Sequence, residues 1–334
     1  MAISIPSLRI ALQPIKTRIK SATSKSFWLR YCTLAGYRVF CSALIHLTGK
    51  TMSGSYTVSA AEAVQHAQDV FALFKSVTGI ERFQGKVADV GPGESCALGL
   101  LFLAHGCSHV DLPDRFSFPD SQLQRDVNRA MVVAHPGLRN GMADETFAES
   151  SFAGLQRYRG EKAAAEKFFA ANHGYDYIVS VATLEHVYDP LSALTSMARA
   201  LNPDGVMIHN IDFRDHGQFS ESFHDLKFLE LSDAMYAPLR WQGGPNRVRL
   251  SAYVNHLETL GFKVETFAQY VTGIKHEIPS SRMDLLPGEI RIAAMGVVER
   301  ARPSLAARFI NATDDDLIAA NVVLVARRNS TQIR

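Results

Sequence analysis

Between residues 59 and 79 ("SAAEAVQHAQDVFALFKSVTG") apolar side chains recur every three or four positions. Val64, Ala67, Val70, Phe71 and Phe74 share one helical face, and Gly79 stands where a left-handed C-cap belongs. The period then shortens. "KVADV" (86–90) reads as a strand, a Gly-Pro-Gly turn follows, and "CALGLLFLAHG" (96–106) reads as a helix. Further strands are expected at 109–114, 155–160, 175–181 and 205–212, with helices over 161–174 and 189–201; residues 121–150 show no clear period. Strand and helix thus alternate from 86 to 212, which predicts an α/β, doubly wound, mostly parallel sheet. Beyond 212 the rhythm changes. Residues 213–250 are aromatic and charged, 249–262 form an amphipathic helix, 263–271 a strand, 274–318 loop and short helix, and 321–328 a last strand. The last two strands are expected to close a seven-stranded sheet as an antiparallel pair.

The 334 residues divide into a basic N-terminal arm (1–58), expected to be helical, and one domain (59–334) with insertions at about 213–250 and 274–318. Charge sharpens that division. Residues 1–61 hold eight of the 35 Lys and Arg and no acid, which leaves 27 basic against 33 acidic residues in the remainder. An acidic body argues against a nucleic-acid partner. The most apolar part of the arm, 27–47, carries Arg30, Arg38 and His46, which a bilayer core penalises. Three readings of the arm stay open: helices packed on the body, an amphipathic segment resting on anionic lipid through residues 1–50, and a transit peptide. Cys32, Cys41, Cys96 and Cys107 form no CxxC pair and no metal spacing, so reduced thiols in the cytoplasm are expected, with the inner face of a membrane as a place of contact.

Candidate chemistry centres on "VADVGPGES" (87–95). In an open parallel sheet ligands sit at the carboxyl ends of the strands, where Gly91 and Gly93 let a ligand touch backbone. Cys96 holds the third small position of the dinucleotide fingerprint, so the match to a nicotinamide site is poor. Asp89 is awkward for a pyrophosphate and suits a ligand with positive charge, such as an amino-acid ammonium. An acid near the end of the second strand, Asp114 or Asp111, is placed to take ribose hydroxyls.

Asp-x-Gly-x-Gly, that second acid, "YDYIVSVATLEHVYDP" and "ALNPDGVMIHNID" occur in an order that resembles class I S-adenosylmethionine-dependent methyltransferases, with a Rossmann-like sheet. The resemblance covers roughly residues 60–270, although "LNPDG" is one glycine short of the family pattern. "GPGESCALGLLFLAHGCSHVDLPDRF" and "NIDFRDHG" resemble a bacterial subgroup associated with polysaccharide and secondary-metabolite genes. The resemblance implies S-adenosyl-L-methionine as cofactor. Gly91 and Gly93 would lie against its methionine part, Asp89 would face its ammonium, Asp114 rather than Asp111 its ribose, and Glu185 would belong to the same pocket.

Methyl transfer needs positioning and, for a nucleophile of high pKa, a base. His216, just past the fifth strand with Asp215 beside it, is the leading candidate. His186 after the fourth strand is a second, and Asp212 either faces substrate or caps the strand end. The 213–250 insertion is expected to cover a small-molecule or glycan acceptor, with Phe219, Phe223, Phe228, Tyr236 and Trp241 as stacking surface. Arg247 and Arg249 are candidates to hold an anionic group, and His224 lies in the same cover. No Asp/Asn-rich triad marks a magnesium site, so no metal is expected. The rival readings are an NAD-dependent oxidoreductase and a non-catalytic protein that docks through its arm.

Overall fold

Strands β1 (Gly85–Val90), β2 (Cys107–Asp114), β3 (Leu155–Arg159), β4 (Tyr175–Val181), β5 (Leu201–Asp212), β6 (Phe262–Val271), β7 (Ser281–Arg282) and β8 (Ala319–Arg328) form one sheet. Their order is β3-β2-β1-β4-β5-β8-β6-β7. The first five are parallel, while β8 runs antiparallel to both β5 and β6. The sheet has eight strands rather than seven because the two-residue β7 pairs with Phe267 and Ala268 at the edge. This computed structural model describes residues 22–23, 25–48, 59–118, 120–240 and 244–329.

The central strands read as apolar runs because both faces are covered. Val322 to Ala326 of β8 are wholly buried, as are Ile208 and Ile211 of β5. Each such side chain contributes roughly 1.5–3 kcal/mol through burial. The longer helices are α1 (Phe27–Thr48), α2 (Ala60–Thr78), α3 (Ala97–Ala104), α4 (Gln122–Ala134), α5 (Pro190–Ala200), α6 (Asp233–Arg240), α7 (Leu250–Thr259) and α8 (Gly288–Ala301). Two of them follow the expected signals closely. Ser59 caps α2 by accepting the Glu62 N–H, and Gly79 ends it at φ 68°. Asp189 caps α5 ahead of Pro190.

Elsewhere the structure differs from the expectation. Over 161–174 there is no long helix but two short turns, because Ala163, Ala164, Ala165, Phe168 and Phe169 are all buried and do not share one helical face. Residues 274–318, expected as loop and short helix, contain the 14-residue α8. Within the basic arm Phe27–Thr48 form α1, which packs Phe27, Tyr31, Leu34 and Ala35 against the main core. Its Arg30, 1 % exposed, donates to the carbonyls of Gln218 and Gly217 and to Ser222 Oγ.

Candidate active site

Asp89 is the penultimate residue of β1, buried among apolar neighbours, and the chain leaves the strand through two left-handed glycines. Gly91 has φ 68°, and a Cβ there would sit 2.5 Å from Thr183 Cγ2. Gly93 has φ 67° and nothing within 4 Å of an added Cβ, so it faces open space. Only glycine meets both needs cheaply. The turn is tied to the end of β2. The Gly91 N–H donates to the Pro113 carbonyl (2.8 Å) and the Gly93 N–H to Asp114 Oδ2 (3.0 Å). Asp114 Oδ1 accepts the Phe116 N–H (2.8 Å). From β3, Arg157 Nη1 donates to the Gly93 carbonyl (2.7 Å) and pairs with Glu149.

Burial pushes the Asp89 carboxyl up to about 7; Arg157 pulls against this, and the like charge of Asp114 adds to it. Asp114 is also raised by burial, against the two N–H groups it accepts. A cation entering beside Asp89 restores its ionised form. Asp111 has other partners. It accepts the Tyr175 hydroxyl (2.6 Å) and pairs with Lys86 (3.2 Å) and His109 (2.9 Å).

Across the switch point, a positive-φ Ala182 (48°) breaks the chain from β4 into the turn Leu184–His186. The turn buries Glu185 to 3 % exposure with no hydrogen-bond donor on either carboxylate oxygen. Burial, then the charge of Asp212, raises its pKa well above the usual range. His216 follows β5 at φ 53°, its side chain 24 % exposed. Its Nε2 lies 3.7 Å from Asp212 Oδ2 and 4.0 Å from Glu185 Oε1, and its ring meets that of His186 edge-on at 4.9 Å. Burial lowers the His216 pKa, which Asp212 and Asp215 partly oppose.

Asp212 caps the strand end and accepts the backbone N–H (2.9 Å), Nε (2.8 Å) and Nη2 (2.7 Å) of Arg214. Burial alone would raise it, but the guanidinium wins and its pKa is lowered. The expected pairing of Asp215 with His216 is corrected: both Asp215 oxygens accept from the turn 217–220, namely Gly217, Phe219 and Ser220. Glu185, His186 and His216 offer ligand atoms within 4.8 Å of one another, a donor set that could hold a metal ion where the sequence suggested none.

The cover brings together part of what was expected of it. A small cavity is lined by Glu185, Asp212, Asn246, Arg247 and Arg249. Both arginines are nevertheless turned onto protein groups. Arg247 donates to the Leu231 carbonyl (2.6 Å) and Asp233 (2.6 Å) and stacks 4.0 Å over the Tyr236 ring. Arg249 donates to the carbonyls of Phe213 (2.9 Å), Asp316 (2.9 Å) and Ala319 (2.9 Å). Tyr236, Phe219 and Phe228 are buried core, Phe223 packs beside them, and Trp241 lies outside the described residues. His224 stands apart from the Glu185 cluster. Its Nε2 is 2.8 Å from Glu230 Oε1, and it lines a surface cavity of about 400 Å³ with Lys275 and Arg300.

Sequence reasoning missed Asn246, whose N–H donates to the Glu185 carbonyl (2.7 Å) and whose side chain donates to Leu184 (2.8 Å) and Val187 (3.1 Å). It also missed Thr183 and Arg157, both bonded to the glycine turn. A single asparagine in "PNRVRL" gives no signal of its long-range partner.

The sequence profile of a methyltransferase domain matches residues 65–266, more than half of the chain. The chain belongs to the methyltransferase domain family. It is an S-adenosylmethionine-dependent methyltransferase. No curated protein sequence matches this methyltransferase. Among solved structures, a putative sarcosine dimethylglycine methyltransferase from Galdieria sulphuraria is 16% identical, covers 86% of this chain and 96% of its own, and has a TM-score of 0.41. An S-adenosylmethionine-dependent methyltransferase from Mesorhizobium loti is 14% identical over 81% of this chain and 99% of its own, with a TM-score of 0.40. Likenesses this distant carry no substrate across. The residues after β1 are compatible with the cofactor: Gly93 has open space where a Cβ would stand, and Asp89 is a buried carboxyl near the end of the same strand.

Proposed function

We propose that this methyltransferase moves a methyl group to an oxygen of a small molecule or glycan precursor, as the resemblance to a bacterial polysaccharide- and secondary-metabolite-associated subgroup suggests. Asp89, Gly91 and Gly93 hold the methionine end of the cofactor, Asp114 its ribose, and Glu185 closes the pocket from the β4 side. When bound, the cofactor supplies an activated methyl group for in-line displacement.

The observation that carries the reading is His216 Nε2 facing two carboxyl groups, Asp212 and Glu185, at 3.7 and 4.0 Å. Burial favours the neutral imidazole, whose Nε2–H then points to the carboxyl groups and whose Nδ1 takes the acceptor's proton. The imidazolium that forms is then favoured by Asp212, which Arg214 holds ionised and in place. His186 lines the same side and limits where the acceptor sits. Arg247, Arg249 and Tyr236 hold the cover over the acceptor in place. A cytoplasmic site of action is supported by the free thiols of Cys32, Cys96 and Cys107.

The test is transfer of labelled methyl from S-adenosylmethionine to a panel of hydroxylated sugar nucleotides, phenols and amines, with wild type and His216→Ala. Oxygen-linked product that disappears in the variant is expected. Transfer confined to amines, or an undiminished variant, sinks the reading.

A further inference from the structure

Helix α1 has two faces of unlike kind, and the outward one is apolar. At about 100° per residue, positions 28, 29, 32, 36, 39 and 40 fall within an arc of about 120°. They carry Trp28, Leu29, Cys32, Gly36, Val39 and Phe40, all exposed; the four large ones are 53–60 % exposed. Among the described residues nine large apolar side chains are exposed, and four of them lie on this one helix. A surface helix of a water-facing domain shows the reverse pattern. The inner face is already used, by Phe27, Tyr31, Leu34 and Ala35 against the core and by Arg30 on the 217–218 carbonyls. The outward stripe therefore has to meet something other than this chain's core.

Charge decides what. Through residue 61 the chain has no acid, and six bases besides Arg30 and the body-facing Arg38 flank the helix in sequence: Arg9, Lys16, Arg18, Lys20, Lys25 and Lys50. Apolar insertion combined with a basic field is the chemistry of an anionic lipid surface. No helix among the described residues is long and apolar enough to cross a membrane.

We propose that this methyltransferase docks on anionic bilayers by laying the Trp28–Phe40 stripe of α1 into the headgroup region. Arg30 ties that helix to the loop directly after His216, so docking fixes the candidate base at a set height above the membrane. The proposal stands apart from the methyl-transfer reading, and either can fail alone.

The experiment is co-sedimentation of the full chain with vesicles of phosphatidylcholine alone and of phosphatidylcholine with about one-third phosphatidylglycerol. Trp28 emission is followed in a Trp241→Phe background. Binding at least tenfold tighter to the anionic vesicles, with a blue-shifted Trp28, is expected. A Trp28→Ser, Val39→Ser, Phe40→Ser variant should lose that binding at least tenfold while binding S-adenosylhomocysteine like wild type. Three results overturn the proposal: no binding to anionic vesicles, binding that survives the triple variant, or a wild-type dimer in sedimentation equilibrium that the variant turns into a monomer.

Discussion

On the β1–β2 side of the cleft, backbone does the holding: two left-handed glycines, two N–H bonds to the end of β2, and one carboxyl, Asp89, placed beside them. On the β4–β5 side, side chains do it. Glu185 from the turn after β4 meets Asp212 at the end of β5 and His216 just beyond it, and Asn246 ties the cover to the turn that carries Glu185. A backbone cradle tolerates little change but serves one invariant ligand. A side-chain constellation is open to variation, which is where acceptor choice belongs.

That contrast breaks first at His216. With an acceptor in hand, His216→Ala is expected to lower kcat by about 10²–10⁴-fold, the usual worth of a positioned base, with KM little changed. A rise in KM with kcat unchanged would make His216 a binding group.

The next effect is on stability, and it contrasts the two glycines. Gly91→Ala adds a left-handed penalty of about 1–2 kcal/mol to a clash with Thr183 costing about 1–3 kcal/mol. Gly93→Ala carries the first term only, since its Cβ meets nothing. Thermal unfolding should therefore rank Gly91→Ala well below Gly93→Ala, whereas cofactor affinity should suffer in both. Equal unfolding temperatures would contradict the geometry.

A pH effect follows from Asp89. Its folded carboxyl is raised to about 7, so below that pH it is largely protonated, and binding an ammonium must expel the proton. S-adenosylhomocysteine affinity should then fall by up to about tenfold per unit as pH drops below 7. Calorimetry in buffers of different ionisation heat should reveal the released proton. A flat profile from pH 5.5 to 8 would remove Asp89 from the ammonium. The smallest effect is at Tyr236, whose hydroxyl is buried with no hydrogen-bond partner. Tyr236→Phe should be neutral or stabilising by about 1 kcal/mol in denaturant unfolding.

The backbone side was the more legible in sequence, because glycine and strand-end acids mark themselves at fixed spacing. The sheet was legible for a related reason: two-sided burial leaves apolar runs in β4, β5 and β8. Helix α4 escaped notice because its buried face includes Gln124 and Asn128, which interrupt the apolar period; only the Ser121–Gln124 capping box marked it. The side-chain half was legible as residue types and not as partners. Asp215 stood next to His216 in sequence, yet its oxygens serve the following turn, while Asp212 and Glu185 reach the ring from further away. Arg247 and Arg249 looked like an anion clamp, and their present partners are carbonyls that only the folded cover brings near.

The division between the two sides is tested most directly by titrating S-adenosylhomocysteine, at pH 8, into wild type, Asp89→Asn and His216→Ala. The account predicts affinity at least about tenfold weaker for Asp89→Asn, from loss of one charge-assisted contact, and within about twofold of wild type for His216→Ala. The reverse ranking, or no binding to any of the three, would contradict it.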